Sequence, residues 1–281
     1  MSHESAVRIA LLLPDVLGTY SDRGNATVLA QRLRWRGIPA DVLEAPADSA
    51  PPTDCDLYVL GGGEDAAQVY AAEWLNRHRP LRTALQSRQV LAVCAGLQVL
   101  GQWMQALDGR RVPGTEILDV TTVPGGGRAV GEVVAEATAP GIAPLTGFEN
   151  HRGRTTLGPC TAPLGRVVHG VGNGDGTDGV LTATVVGTYL HGPVLARNPD
   201  LADLLLHRAT GLALSPLDVP GQQAARRLHL HARQRGRRRP WTRAAAPSAS
   251  WQRPGRSAPP DRGEPGKCPS PDASGLPFSG G

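Results

Sequence analysis

Between residues 7 and 108 the chain alternates short apolar runs with amphipathic stretches, and this alternation narrows the possible folds more than any other feature. Residues 7–13, 40–43, 56–60 and 90–93 have the length and the leucine-rich or β-branched character of buried strands. Residues 25–36, 66–76 and 81–87, lying between them, carry helical spacing. The pattern predicts an α/β fold, a mostly parallel mixed sheet flanked by helices in three layers. Beyond Asp108 it changes to short β-rich runs at 117–123, 130–134, 166–171, 180–182 and 184–188, separated by glycine-rich turns. They read as a mixed sheet edge packed on the first half. Residues 198–210 read as a last amphipathic helix stopped by Gly211.

The run 90–93 leads straight into Cys94, and the small residues Ala95 and Gly96 follow it. A helix is expected next, because Leu97, Leu100, Trp103, Met104 and Leu107 recur at roughly helical spacing. A cysteine on such a strand-to-helix elbow stands at the carboxyl end of a sheet, where the amides opening the helix favour thiolate. A buried core cysteine is the plain alternative. His191 changes the balance: it stands three residues past the β-rich run 184–188, just before the loop signal Gly192-Pro193. Two strand ends bearing a cysteine and a histidine make a nucleophile–base pair.

The run 56–60 leads into Gly61-Gly62-Gly63. Three glycines allow backbone amides to approach a ligand closely. No Gly-Lys-Ser/Thr follows, which excludes a P-loop, and the spacing of a dinucleotide-binding turn is absent.

Composition matters mainly through its uneven distribution. Residues 221–281 hold 12 basic and 3 acidic residues, which leaves 17 and 22 in residues 1–220. The basic character therefore belongs to the tail and does not argue for a nucleic-acid-binding domain. From about 235 the tail is Arg-, Pro-, Gly- and Ser-rich and nearly free of aliphatic residues, a composition that predicts disorder. The expected division is a domain over 1–214 and a tail over 215–281, where the 235–239 arginine cluster is expected to be solvated. No long apolar stretch, secretory signal or metal-type cysteine spacing is present, so a cytoplasmic protein with free thiols, without a metal, is expected.

Several blocks together resemble a class I glutamine amidotransferase of the cobyric-acid-synthase-like (CobB/CobQ-type) branch. They are the run 93–98, the triple glycine, residues 187–192, Tyr20-Ser21-Asp22-Arg23-Gly24-Asn25, Gly147-Phe148-Glu149-Asn150-His151 and Asn198-Pro199-Asp200-Leu201-Ala202. Within that branch the chain is most similar, over about residues 6–212, to the glutaminase subunits of lipid II isoglutaminyl synthase.

The resemblance implies hydrolysis of L-glutamine by Cys94 and His191, with amides of Gly62, Gly63 and Ala95 as the oxyanion hole. It also implies Arg128 and Gln98 as substrate-binding residues, with Asn150 and His151 as further candidates to line the pocket. It implies no cofactor in this chain and a heterodimer with a Mur-ligase-like synthetase that binds ATP and Mg and reaches lipid II. A glutaminase for another amidation, such as that of a corrinoid precursor, and a non-catalytic binding protein on the same fold are the alternatives. Two departures stand out. Pro193 occupies the position where many relatives carry the triad glutamate, which implies either a working dyad or an acid donated by a partner chain, the latter being the expectation. Ala92 replaces the usual glycine before the cysteine.

Overall fold

A computed structural model describes residues 5–18, 22–159 and 161–236 of the chain. The first part runs β1 (Val7–Leu12), α1 (Arg23–Arg34), β2 (Ala40–Ala45), β3 (Leu57–Leu60), α2 (Asp65–Arg77), α3 (Arg79–Ser87) and β4 (Gln89–Val93). Strands β1, β3 and β4 are buried almost throughout because helices cover both sheet faces, which is why they read as continuous apolar runs.

After β4 comes α4, Ala95–Val99, far shorter than the helix expected from the spacing of Leu97 to Leu107. The chain turns at Gly101, where a Cβ would stand 2.8 Å from the Val120 carbonyl oxygen. Trp103 and Met104 then enter β5 (Trp103–Gln105), followed by β6 (Arg111–Pro113). Pairing with a neighbouring strand overrides local helical spacing here.

The expected sheet edge is in fact a second sheet. The runs 117–123 and 130–134 belong to one long strand, β7 (Val120–Ala137), whose register shifts between Pro124 and Ala129. The block 147–151 lies in β8 (Leu145–Leu157), antiparallel to β7. Next come β9 (Gly165–His169), β10 (Thr177–Asp178), β11 (Val180–Leu181) and β12 (Val185–Thr188). The second sheet has the order β10-β9-β7-β5-β6, with β8 on β7. Only β11 and β12 return to the first sheet, whose order is β11-β12-β4-β3-β1-β2. All its pairings are parallel except β11 with β12.

The chain then forms α5 (Val194–Arg197), α6 (Pro199–Thr210) and α7 (Gln222–Gly236). Gly211 closes α6 in the left-handed region, at φ 70°. Arg32 and Arg36 of the α1 segment both reach Asp203 on α6, and the Arg32 contact is bidentate at 2.8 and 2.6 Å. Asn198 exchanges hydrogen bonds with the Thr146 backbone, tying α6 to β8.

Contacts with the folded part continue beyond residue 214, where the sequence places the end of the domain. Arg226 of α7 is buried and donates to the Arg197 and Pro144 carbonyl oxygens at 3.1 and 2.9 Å. The disorder expected from about 235 concerns mostly residues outside those described. Among the described residues, no helix is long and apolar enough to cross a membrane.

Candidate active site

Strand β4 delivers Cys94 to the carboxyl edge of the first sheet, and the residue leaves it at φ 53°, ψ −106°. A side chain in that region is strained, and the surroundings must hold it there. They do so through two backbone bonds. The Cys94 amide donates to the Thr188 carbonyl at 2.8 Å, and the Gly96 amide donates to the Gly61 carbonyl at 3.1 Å.

Strand β12 runs parallel to β4 with Thr188 opposite Val93, so His191 arrives at the same edge as Cys94. Its backbone is fixed from the other side by β8: His191 N–H donates to Phe148 O at 2.8 Å, and Phe148 N–H donates back at 3.2 Å. Asp178, fully buried, accepts from the Thr188 hydroxyl at 2.6 Å and the Tyr189 amide at 3.2 Å, which holds the approach to His191. Burial pushes the Asp178 carboxyl up to about 6, against the pull of those two donors.

A carboxylate beside His191 comes from this chain itself, whereas the sequence reading looked to a partner for one. Both oxygens of Asp22 face His191 Nδ1, at 3.3 and 3.2 Å, and Asp22 is fully buried. Asp22 stands in the N-cap position of α1, yet its side chain makes no cap bond. Burial opposes charge on His191, but hydrogen bonds of the ring to Asp22 and Cys94 overcome it and raise the imidazole to about 10. Asp22 falls in the block 20–25 but has no role in the sequence reading, because nothing local to it in sequence points to His191.

Gly62 is the point on which these groups converge. A Cβ there would stand 2.7 Å from His191 Cε1, 3.2 Å from Asp22 Oδ2 and 3.4 Å from Cys94 Cβ. Its amide donates to Asp22 Oδ2 at 2.7 Å. Gly62 is therefore not an oxyanion donor as expected, since a buried carboxylate draws the nearest amide to itself. Gly63 lines the pocket beside Cys94. Ala95 opens α4, a position whose amide has no intrahelical acceptor.

Arg128, Gln98, Asn150 and His151 line the same pocket, together with Glu64, Asp65 and Gln68. Arg128 lies in the shifted segment of β7, where its Nε donates to Asn150 Oδ1. Gln98 donates to the Tyr189 hydroxyl at 2.9 Å and accepts from Gln68. His151 stacks on Tyr189 at 3.9 Å between centroids, and its ring nitrogens meet Gly153 O at 3.0 Å and Glu149 at 3.2 Å. Among the described residues, no group of three or more His, Cys, Asp or Glu side chains is arranged to hold a metal ion.

Residues 8–199 match the CobB/CobQ-like glutamine amidotransferase domain. The subunit GatD of lipid II isoglutaminyl synthase (glutamine-hydrolyzing) from Staphylococcus aureus (strain N315) is 35% identical over 218 residues, 75% of this chain and 88% of that protein. Its Streptococcus pneumoniae counterpart (strain ATCC BAA-255 / R6) is 32% identical over 210 residues, 72% of this chain and 80% of that protein. A solved glutamine amidotransferase superposes with a TM-score of 0.50 at 18% identity, over 73% of this chain and 99% of that one, a likeness of fold.

Proposed function

Because the chain belongs to the CobB/CobQ-like glutamine amidotransferase family, we propose that it hydrolyses L-glutamine through a Cys94 thioester and hands the ammonia to a synthetase partner. The partner is a Mur-ligase-like, ATP- and Mg-dependent chain that converts the D-glutamate of lipid II to D-isoglutamine, and the pair works in the cytoplasm. The names of the two GatD relatives support lipid II as the acceptor. The observation that carries the reading is the convergence of Cys94, His191 and Asp22 on Gly62 at one sheet edge.

The steps follow from that arrangement. Thiolate Cys94 attacks the side-chain amide carbon of glutamine, and the carbonyl oxygen takes up the displaced electron pair. Amides of Gly63 and Ala95 stabilise that oxyanion, each such donor contributing on the order of 3 kcal/mol. His191 gives its proton to the departing nitrogen, the C–N bond breaks, and ammonia leaves a thioester on Cys94. Water then gives a proton to His191 as its oxygen adds to the thioester carbon. The C–S bond breaks, glutamate leaves, and the thiolate–imidazolium pair is restored. Asp22 holds the ring in the orientation and tautomer that both steps need.

The test is release of glutamate and ammonia from L-glutamine by the purified chain, alone and with the synthetase, beside a Cys94→Ala control. The expected result is release that vanishes in the control and rises with the partner. No release from folded protein at saturating glutamine, with or without the partner, would overturn the reading.

A further inference from the structure

Tyr189 precedes His191 by two residues, and full burial of its ring leaves the hydroxyl to find partners inside the protein. It finds two. The hydroxyl accepts from Gln98 Nε2 at 2.9 Å and lies 2.7 Å from Thr155 Oγ1, which lies 2.9 Å from Thr122 Oγ1. Thr122 and Thr155 face each other in the register of β7 and β8, so the second sheet supplies the far end of this chain of hydroxyls. All four side chains are buried, Gln98 being the most exposed at 7%. Gly153 makes the approach possible, because a Cβ there would stand 2.3 Å from Gln98 Nε2 and 2.8 Å from the Tyr189 hydroxyl. The His151 ring, stacked on Tyr189 at 3.9 Å between centroids, covers one face of the phenol.

We propose that Tyr189 is a positioning residue: its hydroxyl, backed by Thr155 and Thr122, holds the Gln98 carboxamide in the wall of the Cys94 pocket. Tyr189 stands behind that wall, since Gln98 lines the pocket and Tyr189 does not. A glutamine side chain has several rotatable bonds, and ordering it only when substrate arrives would add that cost to binding. With Nε2 given to Tyr189, the carboxamide is ordered beforehand. Its Oε1 accepts from Gln68, which lines the same pocket, so the acceptor end faces inward and suits an N–H donor of the substrate. The role rests on the glutaminase reading and deepens it: three hydroxyls behind the pocket set the affinity for glutamine through Gln98.

The test is steady-state glutaminase kinetics of the complex with its synthetase. Tyr189→Phe removes only the hydroxyl, and is expected to raise KM for L-glutamine about 3- to 10-fold, the loss of one neutral hydrogen bond. Its kcat should stay within about twofold of wild type. Thr155→Val is expected to raise KM in the same direction, and Thr155→Ser, which keeps a hydroxyl, to recover most of that loss. In a Gln98→Met background Tyr189→Phe should no longer change KM, because the group it positions is gone. A wild-type KM in Tyr189→Phe, a loss confined to kcat, or the same rise in KM in the Gln98→Met background would overturn the positioning role alone. If Tyr189→Phe does not fold, equal KM values in Thr155→Val and Thr155→Ser would overturn it. A wild-type complex that releases no ammonia would overturn the glutaminase reading and the positioning role with it.

Discussion

Replacing Asp22 by asparagine keeps the shape of the side chain and removes its charge, which tests the assembly of the site most directly. Two donors converge on the carboxylate: the Nδ1–H of His191 at 3.2 and 3.3 Å and the Gly62 amide at 2.7 Å. Asparagine has one oxygen to offer them and must turn its NH2 towards the other donor. The imidazolium thus loses a charge-assisted bond, which contributes about 1.5–3 kcal/mol. If that bond acts in the transition state, kcat/KM falls by roughly 10- to 150-fold.

The pH dependence has a definite sign. His191 is raised from 6.5 to about 10 in the folded protein, so its contribution to stability is complete below pH 6.5 and is lost as pH rises through about 10. Without Asp22 the alkaline limb of glutamate release moves to lower pH. Wild-type kcat/KM in the Asp22→Asn variant, with an unmoved alkaline limb, would refute the assignment.

Two other substitutions separate activity from stability. Gly62→Ala places a methyl 2.7 Å from His191 Cε1, and kcat is expected to fall about 100-fold or more from misplaced groups. Circular dichroism should show the variant folded, and near-normal turnover would mean that the packing at Gly62 is loose. Asp203→Ala leaves Arg32 and Arg36 buried without their anion. The expected loss is about 2–3 kcal/mol, allowing for the partial exposure of Asp203, or a Tm lower by about 5–10 °C. An unchanged Tm would show that this pair does not hold α1 to α6.

The chain's local patterns carried part of this architecture. Strands β1, β3 and β4 and helices α1, α2 and α6 lie close to where apolar runs and helical spacing put them. The placement of Cys94 and His191 on neighbouring strand ends follows from reading each as a residue past a buried run. What depends on contacts between elements was not legible. Trp103 and Met104 keep helical spacing with Leu97 and Leu100, yet pairing with the nearby strands β6 and β7 recruits them into β5. Asp22 lies 169 residues before His191, and no local period links the two positions. Gly62 was read as a place where amides approach a ligand, whereas what stands closest to it is the side chains of His191, Asp22 and Cys94. Arg226 looked like tail because the helix bearing it is polar, and its anchorage to two carbonyl oxygens depends on residues 197 and 144.

The position of β12 also sets a timetable for the growing polypeptide. Strand β4 has β3 on one side and β12 on the other, and β12 begins only at Val185. At translation rates of about 5–20 residues per second, the rim of β4 stays open for roughly 5–20 s after it is made. An open rim on an apolar strand invites pairing with other chains, so this interval is when newborn copies are most in need of shielding. Cys94 is made in the same interval, before His191 exists to stand beside it.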